Sequence, residues 1–585
     1  MRSVDIQTFN THDDVALSYR YWPAETQQPD TPPRAIVLFH RGHEHGGRVA
    51  HLVDELDLPG HAFFAWDARG HGLSPGERGD SPSFGTSVRD VQTFMDHIAT
   101  EHGIAIEDIA VVAQSVGAVL AATWVHDYAP PIRALVLASP AFKVKLYVPF
   151  ARQGLGLARA VRGNFFVNSY VKAKFLTHDP ERIASYEADP LIARPISVNV
   201  LLGLYEAADR VVADAQSIKV PVQLLVSGAD FVVHRGPQQR FFQQLGSADK
   251  EIHILPGFFH DTLGEKDRGL ATQRIRRFIT HHFEAPTAPP TLHTADREGW
   301  SCAEAEALAT PLPPRSLAGL FWRATRAGLA FGAKFSEGLR LGAETGFDSG
   351  STLDYVYRNE PTGTGALGRL IDENYLKAIG WRGIRQRKIN IEELLGSAIT
   401  RLQNAQTSVR IVDIAAGHGR YILEALAQRA DQVESVLLRD YSELNVGKGQ
   451  ALIEEKGLGQ VARFVQGDAF DGDDLAQLSP KPTLAVVSGL YELFADNTQV
   501  GQSLAGLASA MEPGSYLIYT NQPWHPQLAF IARALTSHRE GQAWVMRRRS
   551  QAEMDQLAER AGFRKITQRV DEWGIFTVTL AQRLD

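Results

Sequence analysis

The chain has 585 residues, of which 44% are hydrophobic and 22% are charged, a composition that excludes an intrinsically disordered protein. The formal net charge of −7 argues against a nucleic-acid partner, because nucleic-acid-binding surfaces carry an excess of lysine and arginine. Cys302 is the single cysteine and forms no internal disulfide, which favours a reducing compartment. The first residues lack the basic and apolar pattern of a secretory signal, so we predict a cytoplasmic protein.

Apolar runs rich in β-branched residues alternate with helix-like segments over residues 4–283. These runs lie at residues 35–39, 62–66, 109–112, 134–137 and 222–226. Such runs, bounded by turn residues, predict strands that are buried on both faces of a mainly parallel sheet. A second alternating pattern of the same kind extends from about residue 408 to the end of the sequence.

Proline-rich stretches at residues 284–291 and 311–314 separate the two patterns. Prolines at this density are typical of linkers between domains. We therefore predict three parts, an α/β domain over residues 1–283, a linker with an amphipathic segment over 284–344, and a second α/β domain over 345–585.

Residues 109–122 combine a predicted strand, a tight turn and a predicted helix. The turn reads Ala113-Gln-Ser115-Val-Gly117, a variant of the G-x-S-x-G motif in which alanine replaces the first glycine. Small residues flank the serine because the backbone passes close by at such a turn. The motif predicts that Ser115 is a nucleophile and that the Val116 N–H faces a developing oxyanion. A buried serine in the turn before a helix is the alternative interpretation.

Three further residues complete this candidate site. Asp230 follows the predicted strand at 222–226, and His260 follows the next predicted strand. A histidine can take the serine proton while an acid orients and stabilises that histidine. Gly42 follows the strand at 35–39, where a second oxyanion donor is expected. We predict no metal site at His43, Glu44 and His45, because this loop lacks a distant third ligand.

Residues 1–283 resemble the monoacylglycerol lipase and lysophospholipase branch of the α/β-hydrolases, also called serine aminopeptidase-like. The matching pieces are FHRGHEHGGR at 39–48, DARGHGLSPGER at 67–78, the Ser115 turn, Asp230 and His260. The resemblance implies an α/β-hydrolase fold with a catalytic triad of Ser115, His260 and Asp230. It also implies an oxyanion hole formed by the N–H groups of Gly42 and Val116.

The same resemblance implies a helical cap over about residues 141–210. Its apolar candidates are Phe142, Leu146, Tyr147, Phe150, Leu155, Leu157, Phe165, Phe166 and Tyr170. Its basic candidates are Lys143, Lys145, Arg152, Arg159, Arg162, Lys172 and Lys174. An apolar lining with a basic rim suits an acyl ester or lysolipid substrate, whereas an ordinary solvated cap is the alternative. A peptidase or a hydrolase of small esters also remains open.

A second motif lies at residues 408–426, where a predicted strand runs into a glycine-rich turn and a helix. The turn contains Asp413, Gly417 and Gly419, and Ile422 occupies the position where a dinucleotide site needs a third small residue. The next predicted strand ends at Asp440, where an acid can accept hydrogen bonds from ribose hydroxyls.

Two more predicted strands end at candidate cofactor residues, Asp468 beside an apolar pair and Ser488. This order of motifs resembles the class I S-adenosylmethionine-dependent methyltransferases over about residues 345–585. The resemblance implies a Rossmann-like domain that binds S-adenosylmethionine. In it Asp413, Gly417 and Gly419 line the methionine end, Asp440 binds the ribose and Asp468 binds the adenine. A degenerate copy that has lost the cofactor is the alternative.

Candidate residues for a methyl-acceptor site follow the Ser488 strand. Residues 519–526 supply polar and aromatic groups after the probable fifth strand, and Glu492 and His525 are the candidate bases. An ordinary structured loop is the alternative interpretation.

Residues 315–341 place aromatic and leucine side chains among arginines and a lysine. Such a pattern predicts either peripheral contact with the inner surface of a membrane or packing between the two domains. The whole chain resembles bacterial fusions of the two domain families, which implies a bifunctional hydrolase and methyltransferase. The alternative is an active hydrolase fused to a module that only binds S-adenosylmethionine or serves as a scaffold.

Overall fold

The first half of the chain is built around a mainly parallel sheet. The computed structural model describes residues 2–26, 31–146, 148, 150–169, 171–539 and 541–585, and residues 1–290 form one unit and 291–585 another. The strands of the first unit are β1 (Asp5–Asn10), β2 (Ala16–Trp22), β3 (Arg34–Phe39), β4 (His61–Trp66), β5 (Ile109–Gln114), β6 (Ala134–Ala138), β7 (Phe166–Asn168), β8 (Pro195–Ser197), β9 (Val222–Ser227) and β10 (Lys250–Leu255). Its helices are α1 (His51–Glu55), α2 (Phe84–Glu101), α3 (Val116–Tyr128), α4 (Ala151–Arg162), α5 (Pro180–Ala188), α6 (Val198–Ala213), α7 (Arg235–Gln244) and α8 (Gly269–Glu284).

Eight of these strands form one sheet in the order β1-β2-β4-β3-β5-β6-β9-β10. The pairs β1–β2 and β2–β4 are antiparallel, and all the other pairs are parallel. Every residue of β4, β5, β6 and β9 is buried, because helices cover both faces of the sheet. The five predicted apolar runs are all strands, and the carboxyl ends of β3, β5, β9 and β10 lie along one edge.

The chain between β6 and β9 contains α4, α5, α6 and a small antiparallel ribbon of β7 and β8. Phe142 is buried, as expected for the lining of the predicted cap, but Phe150 is 81% exposed and Leu157 is 70% exposed. Phe150 nevertheless lines a pocket together with Phe142 and Leu146, whereas Leu157 differs from the predicted lining because it lies on α4, which buries none of its residues. Tyr147 and Tyr170, which also belong to the predicted lining, lie outside the described residues.

The second unit begins with helices and continues as an alternating α/β domain. Its helices are α9 (Trp300–Ala309), α10 (Leu317–Gly332), α11 (Glu337–Thr345), α12 (Gly350–Arg358), α13 (Gly365–Leu376), α14 (Ile379–Asn404), α15 (Arg420–Leu426), α16 (Glu443–Glu455), α17 (Gly472–Ala476), α18 (Asn497–Ala510), α19 (Leu528–Ala534) and α20 (Gln551–Arg560). Its strands are β11 (Arg410–Asp413), β12 (Ser435–Asp440), β13 (Ala462–Gln466), β14 (Leu484–Val487), β15 (Tyr516–Asn521), β16 (Phe563–Val570) and β17 (Thr577–Arg583).

The sheet of the second unit has the order β13-β12-β11-β14-β15-β17-β16. The first five strands are parallel, and β17 lies antiparallel between β15 and β16. The strand order reverses beside β11, and ligands of open α/β sheets bind at such a switch point, beyond the carboxyl ends of the strands. Asp413, Asp440 and Ser488 all stand at or just beyond these ends.

Helices α9, α10 and α11 occupy much of the stretch that composition predicts as a linker. They belong to the second unit, where Arg548 forms an ion pair with Glu304 of α9 and Trp322 of α10 contacts Phe530 of α19. Leu317, at the start of α10, is 87% exposed. Within the described part of the chain, none of the helices has the length and apolar character that a membrane span requires.

Candidate functional site

Ser115 stands in the sharp turn between β5 and α3. Its backbone has φ 56° and ψ −114°, a left-handed conformation that non-glycine residues seldom adopt. The turn also needs glycine at position 117, because a Cβ there would lie 2.4 Å from the carbonyl oxygen of His40. The strained turn therefore holds the serine hydroxyl at the carboxyl edge of the sheet.

Ser115, His260 and Asp230 form a continuous chain of hydrogen bonds. Ser115 Oγ lies 2.7 Å from His260 Nε2, and His260 Nδ1 lies 2.8 Å from Asp230 Oδ2. The other carboxylate oxygen, Asp230 Oδ1, accepts hydrogen bonds from the N–H groups of Val232 and Val233 at 2.7 and 2.9 Å. All three side chains are buried, so bulk water does not compete for these bonds.

The Asp230 carboxyl is held in its ionised form. Burial raises the pKa of this carboxyl. The charge and hydrogen bond of His260 and the two backbone N–H groups all lower that pKa, and together they outweigh burial. The pKa of Asp230 therefore stays below its ordinary value. An ionised carboxylate at this position fixes the imidazole ring and stabilises its protonated form.

Gly42 and Val116 meet beside the nucleophile. A Cβ on Gly42 would lie 2.9 Å from Val116 Cγ2, so the loop after β3 contacts the first residue of α3. The first N–H groups of a helix have no partner within the helix, which leaves the Val116 N–H available to an anion. The two residues predicted as oxyanion donors are thus neighbours next to Ser115.

A buried ion-pair network lies beside this site, and no motif in the sequence predicts it. Arg41 donates to Glu44 at 2.5 and 3.0 Å and lies 3.4 Å from Asp261, which in turn accepts from Arg182 of α5 at 2.9 Å. Burial raises the pKa of Asp261, but the guanidinium groups of Arg182 and Arg41 outweigh it and hold that pKa well below its usual range. The network ties the Gly42 loop to the residue that follows His260. Both carboxylate oxygens of Glu44 therefore accept hydrogen bonds from Arg41.

In the second unit, the structure brings Gly417 and Asp440 into direct contact. Gly417 N–H donates to Asp440 Oδ2 at 2.9 Å, while Asp440 Oδ1 accepts from Ser442 N–H and Asn445 Nδ2, both at 3.0 Å. Gly417 and Gly419 have φ values of 57° and 73°, which glycine adopts without strain. The glycine-rich turn after β11 is thus fastened to the acid that ends β12.

Asp413 lies beneath this turn and is fully buried. Tyr421 Oη donates to Asp413 Oδ2 at 2.5 Å. Burial raises the pKa of Asp413 to about 7. The hydrogen bond from Tyr421 lowers this pKa in part, and the nearby charge of Asp440 raises it. Asp413 consequently changes its charge close to neutral pH.

Asp468 and Ser488 have different surroundings at the same sheet edge. Asp468 is exposed and accepts a hydrogen bond from the N–H of Phe470 at 2.9 Å, within its own turn. Ser488 is buried, and its Oγ has no hydrogen-bond partner among the described residues. A buried hydroxyl without a partner costs free energy, so Ser488 Oγ is a candidate contact for a bound molecule.

Two family models match this chain. Residues 30–267 match the family described as "Serine aminopeptidase, S33", and residues 275–583 match the family described as "Putative methyltransferase". The uncharacterized protein YnbC of Escherichia coli K12 is 56% identical over 99% of this chain and 98% of its own length. A monoacylglycerol lipase of Mycolicibacterium smegmatis is 24% identical over 46% of this chain and 94% of its own. The solved monoacylglycerol lipase of Paleococcus ferrophilus aligns with 46% of this chain and 99% of its own, with 24% identity and a TM-score of 0.41.

The two family matches each cover most or all of one of the two alternating α/β patterns of the sequence. They confirm the predicted α/β fold class and both predicted resemblances. The chain belongs to the methyltransferase family named above, and it joins a domain of that family to an α/β-hydrolase domain of the serine aminopeptidase S33 type.

Proposed function

We propose that the protein is bifunctional, with a serine ester hydrolase in its first unit and an S-adenosylmethionine-dependent methyltransferase in its second. The observation that carries the hydrolase is the chain of hydrogen bonds from Ser115 through His260 to Asp230. The substrate class is an acyl ester of glycerol or of a lysophospholipid. A relative that is named a monoacylglycerol lipase supports this choice over a peptide or a small ester.

In the proposed reaction, Ser115 Oγ attacks the ester carbonyl carbon while its proton passes to His260 Nε2. Asp230 stabilises the imidazolium that results, and the N–H groups of Val116 and Gly42 donate to the oxyanion. His260 then gives the proton to the departing alcohol, which leaves an acyl group on Ser115. Water activated by the same histidine releases the fatty acid and regenerates the serine.

The hydrolase is tested by the release of lauric acid from 1-lauroylglycerol. Ser115→Ala removes the nucleophile, and kcat/KM is expected to fall by roughly three orders of magnitude or more. His253→Gln is the matched control, because His253 lies on β10 and contacts Glu251 rather than the triad. A Ser115→Ala protein that matches the wild type would refute the assignment. Faster turnover of acetate esters or aminoacyl anilides than of 1-lauroylglycerol would favour a small-ester hydrolase or a peptidase.

The residues at the edge of the second sheet fit S-adenosylmethionine. The Asp440 carboxylate has about four acceptor positions and uses three within the chain, which leaves capacity for a ribose hydroxyl. Ser488 Oγ is buried without a partner and would bind a polar group of the cofactor. Gly417 and Gly419 let the backbone approach it. When bound, S-adenosylmethionine would supply an electrophilic methyl group at its sulfonium.

Calorimetric titration of S-adenosylmethionine into the full-length protein tests the cofactor assignment. We expect Asp440→Asn to weaken binding by about tenfold or more, because an amide loses the charge-assisted hydrogen bond to the ribose. Asp473→Asn, on the surface of α17, is the control. If the wild type gives no binding heat while its hydrolase is active, the second unit is a scaffold.

The proposal includes peripheral contact with a lipid surface through residues 315–341. Leu317, Phe321 and Phe331 of this segment are exposed, and Arg315 and Lys334 lie at the two ends of α10. Exposed apolar side chains flanked by cations suit the interface of an anionic membrane. Such a position would bring the protein close to acyl lipid substrates.

A further inference from the structure

The second unit contains a cavity of about 360 Å³ beside the loops that follow β14 and β15. Most of its wall is apolar, with leucine, isoleucine, methionine and aromatic side chains from α11, α14, α19 and the C-terminal part of the chain. Typical members are Leu339, Trp381, Ile384, Leu535, Met546 and Phe576. A cavity of this size and character is typical of sites for small organic molecules.

Five polar atoms of the wall residues are buried without a hydrogen-bond partner among the described residues. They are Tyr375 Oη, Arg387 Nε, Glu492 Oε2, Gln522 Nε2 and Trp544 Nε1. Glu492 is 6% exposed, Gln522 5% and Trp544 8%. Burying such groups without partners is unfavourable, so their convergence on one cavity indicates that a ligand supplies the partners.

Glu492 is held so that one of its oxygens stays free. Its Oε1 accepts from Thr520 Oγ1 at 2.6 Å, and Arg387 Nη1 lies 3.7 Å from the same oxygen. Arg549 fixes the loop on both sides of Glu492, because it donates to the carbonyl oxygens of Tyr491 and Phe494. The carboxylate is thus positioned on a rigid loop, with Oε2 left as an acceptor.

Three charged residues line the cavity, of which Glu492 faces Arg387 and Asp348 accepts hydrogen bonds from Ser537 and from the backbone N–H of His538. The Arg387 guanidinium faces Glu492 and lies over the Phe576 ring, 5.0 Å from its centre, although its Nε is buried without a partner. Burial lowers the pKa of His525 to about 4, so this ring is neutral at pH 7. Its Nδ1 accepts from Gln527 N–H at 3.0 Å, which leaves its proton on Nε2. This histidine is therefore a hydrogen-bond donor rather than the base that the sequence suggested.

The cavity adjoins the edge to which the proposal assigns the cofactor. Gly489, which lines it, follows Ser488 in sequence. Asp348 and Leu353 also line it and flank Gly350, whose Cα lies 3.5 Å from the position of a Cβ on Gly417. A molecule in the cavity would thus lie next to the glycine-rich turn after β11.

We propose that this cavity binds the methyl acceptor, and that the acceptor is an uncharged, mainly apolar molecule with one hydroxyl or N–H group. That group donates to Glu492 Oε2, and an oxygen or nitrogen of the same molecule accepts from Gln522 Nε2 or Trp544 Nε1. The inference rests on the proposed methyltransferase function and names its substrate class. An anionic lipid headgroup does not suit the site, because Glu492 faces the arginine that would attract it.

Calorimetric titration of three probes with one apolar body tests this class on the full-length protein. The probes are 4-butylphenol, which carries an O–H donor, 4-butylanisole, which lacks it, and 4-butylbenzoate, which is an anion. We expect 4-butylphenol to bind at least tenfold more tightly than the other two, because a hydrogen bond to a buried carboxylate is strong. Ala378 lines the cavity, and Ala378→Phe places a ring inside it. Probe binding that this variant loses is therefore binding at the cavity.

Glu492→Gln should reduce the preference for 4-butylphenol over 4-butylanisole to about twofold or less, since the amide retains an oxygen for Thr520 but loses the free acceptor. Glu512→Gln, at an exposed carboxylate, is the control and should leave the preference unchanged. Equal binding of all three probes, or tightest binding of 4-butylbenzoate, would overturn the proposed ligand class.

The same titrations separate the inference from the function on which it rests. If Glu492→Gln weakens S-adenosylmethionine binding and leaves 4-butylphenol unaffected, Glu492 belongs to the cofactor site and the inference is wrong. If the wild type binds 4-butylphenol in the cavity but does not bind S-adenosylmethionine, the methyltransferase proposal fails, and the acceptor role of the cavity fails with it. Binding of both, with the expected variant effects, supports both proposals.

Discussion

Asp413 shows how burial of one carboxyl makes stability depend on pH. Its pKa rises from 3.8 to about 7 because the side chain is fully buried and then because Asp440 lies nearby. In the folded protein this carboxyl therefore binds its proton more tightly than in the unfolded chain. The resulting stabilisation is complete below about pH 4 and is lost as the pH rises through 7.

Asp413→Asn should remove this dependence, because an amide carries no charge and can still accept from Tyr421. We expect the variant to be more stable than the wild type by roughly 2–4 kcal/mol at pH 8, from about 1.4 kcal/mol per pKa unit, and to differ much less at pH 5. Hydrogen exchange of peptides from β11 and β14 measures the difference. Peptides from β5 and β9 in the first unit are the internal control. Identical pH profiles in both proteins would contradict the role assigned to Asp413.

Sequence reasoning finds residues whose role depends on local context. Ser115, Asp230 and His260 each follow a recognisable strand, and in the structure they lie within hydrogen-bond distance of one another. Arg41 and Asp261 could not be found this way, because their ion pair depends on a contact between distant parts of the chain. The same holds for Gln522, whose unpartnered amide nitrogen becomes evident only once the cavity wall is assembled.

At the scale of elements, the turn from β5 into α3 depends on close packing against β3. A Cβ on Gly117 would lie 2.4 Å from His40 O, whereas a Cβ on Gly154 of α4 would meet nothing within 4 Å. We expect Gly117→Ala to destabilise the first unit by roughly 1–3 kcal/mol and to lower esterase activity, because the nucleophile turn must shift. Gly154→Ala should be neutral or stabilise by up to about 1 kcal/mol. Urea unfolding and 1-lauroylglycerol hydrolysis measure both variants, and equal effects would contradict this explanation.

The positions of the strands could be predicted from the sequence better than the surfaces against which the helices pack. The apolar runs at 35–39 and 222–226 identify β3 and β9, because a strand buried on both faces must be continuously apolar. Composition also predicts a linker with an amphipathic segment over 284–344, and in the structure α9, α10 and most of α11 lie there and belong to the second unit. Prolines mark where a helix is interrupted, but they carry no information on which surface the next helix packs against.

At the scale of the whole molecule, the exposed part of α10 is the surface that we propose for contact with membranes. The amphipathic pattern left membrane contact and packing between domains as alternatives. In the structure α10 contacts α19 of its own unit through Trp322 and Phe530, while Leu317 and Phe321 remain exposed. Leu317 and Phe321 are four residues apart and so lie on one face of α10, from which both side chains can enter a lipid interface.

Liposome flotation of the full-length protein tests this contact. We expect co-flotation with vesicles that contain anionic lipid. Leu317→Gln/Phe321→Gln should weaken binding by roughly a hundredfold or more, because each buried apolar side chain contributes about 1.5–3 kcal/mol and about 1.4 kcal/mol is tenfold. Raising the salt concentration should weaken binding, since Arg315 and Lys334 attract the anionic surface. Phe150→Gln/Leu157→Gln is the matched control, as it removes two equally exposed apolar side chains from the cap. Loss of flotation in the control alone would place the membrane contact on the cap and contradict the role of residues 315–341.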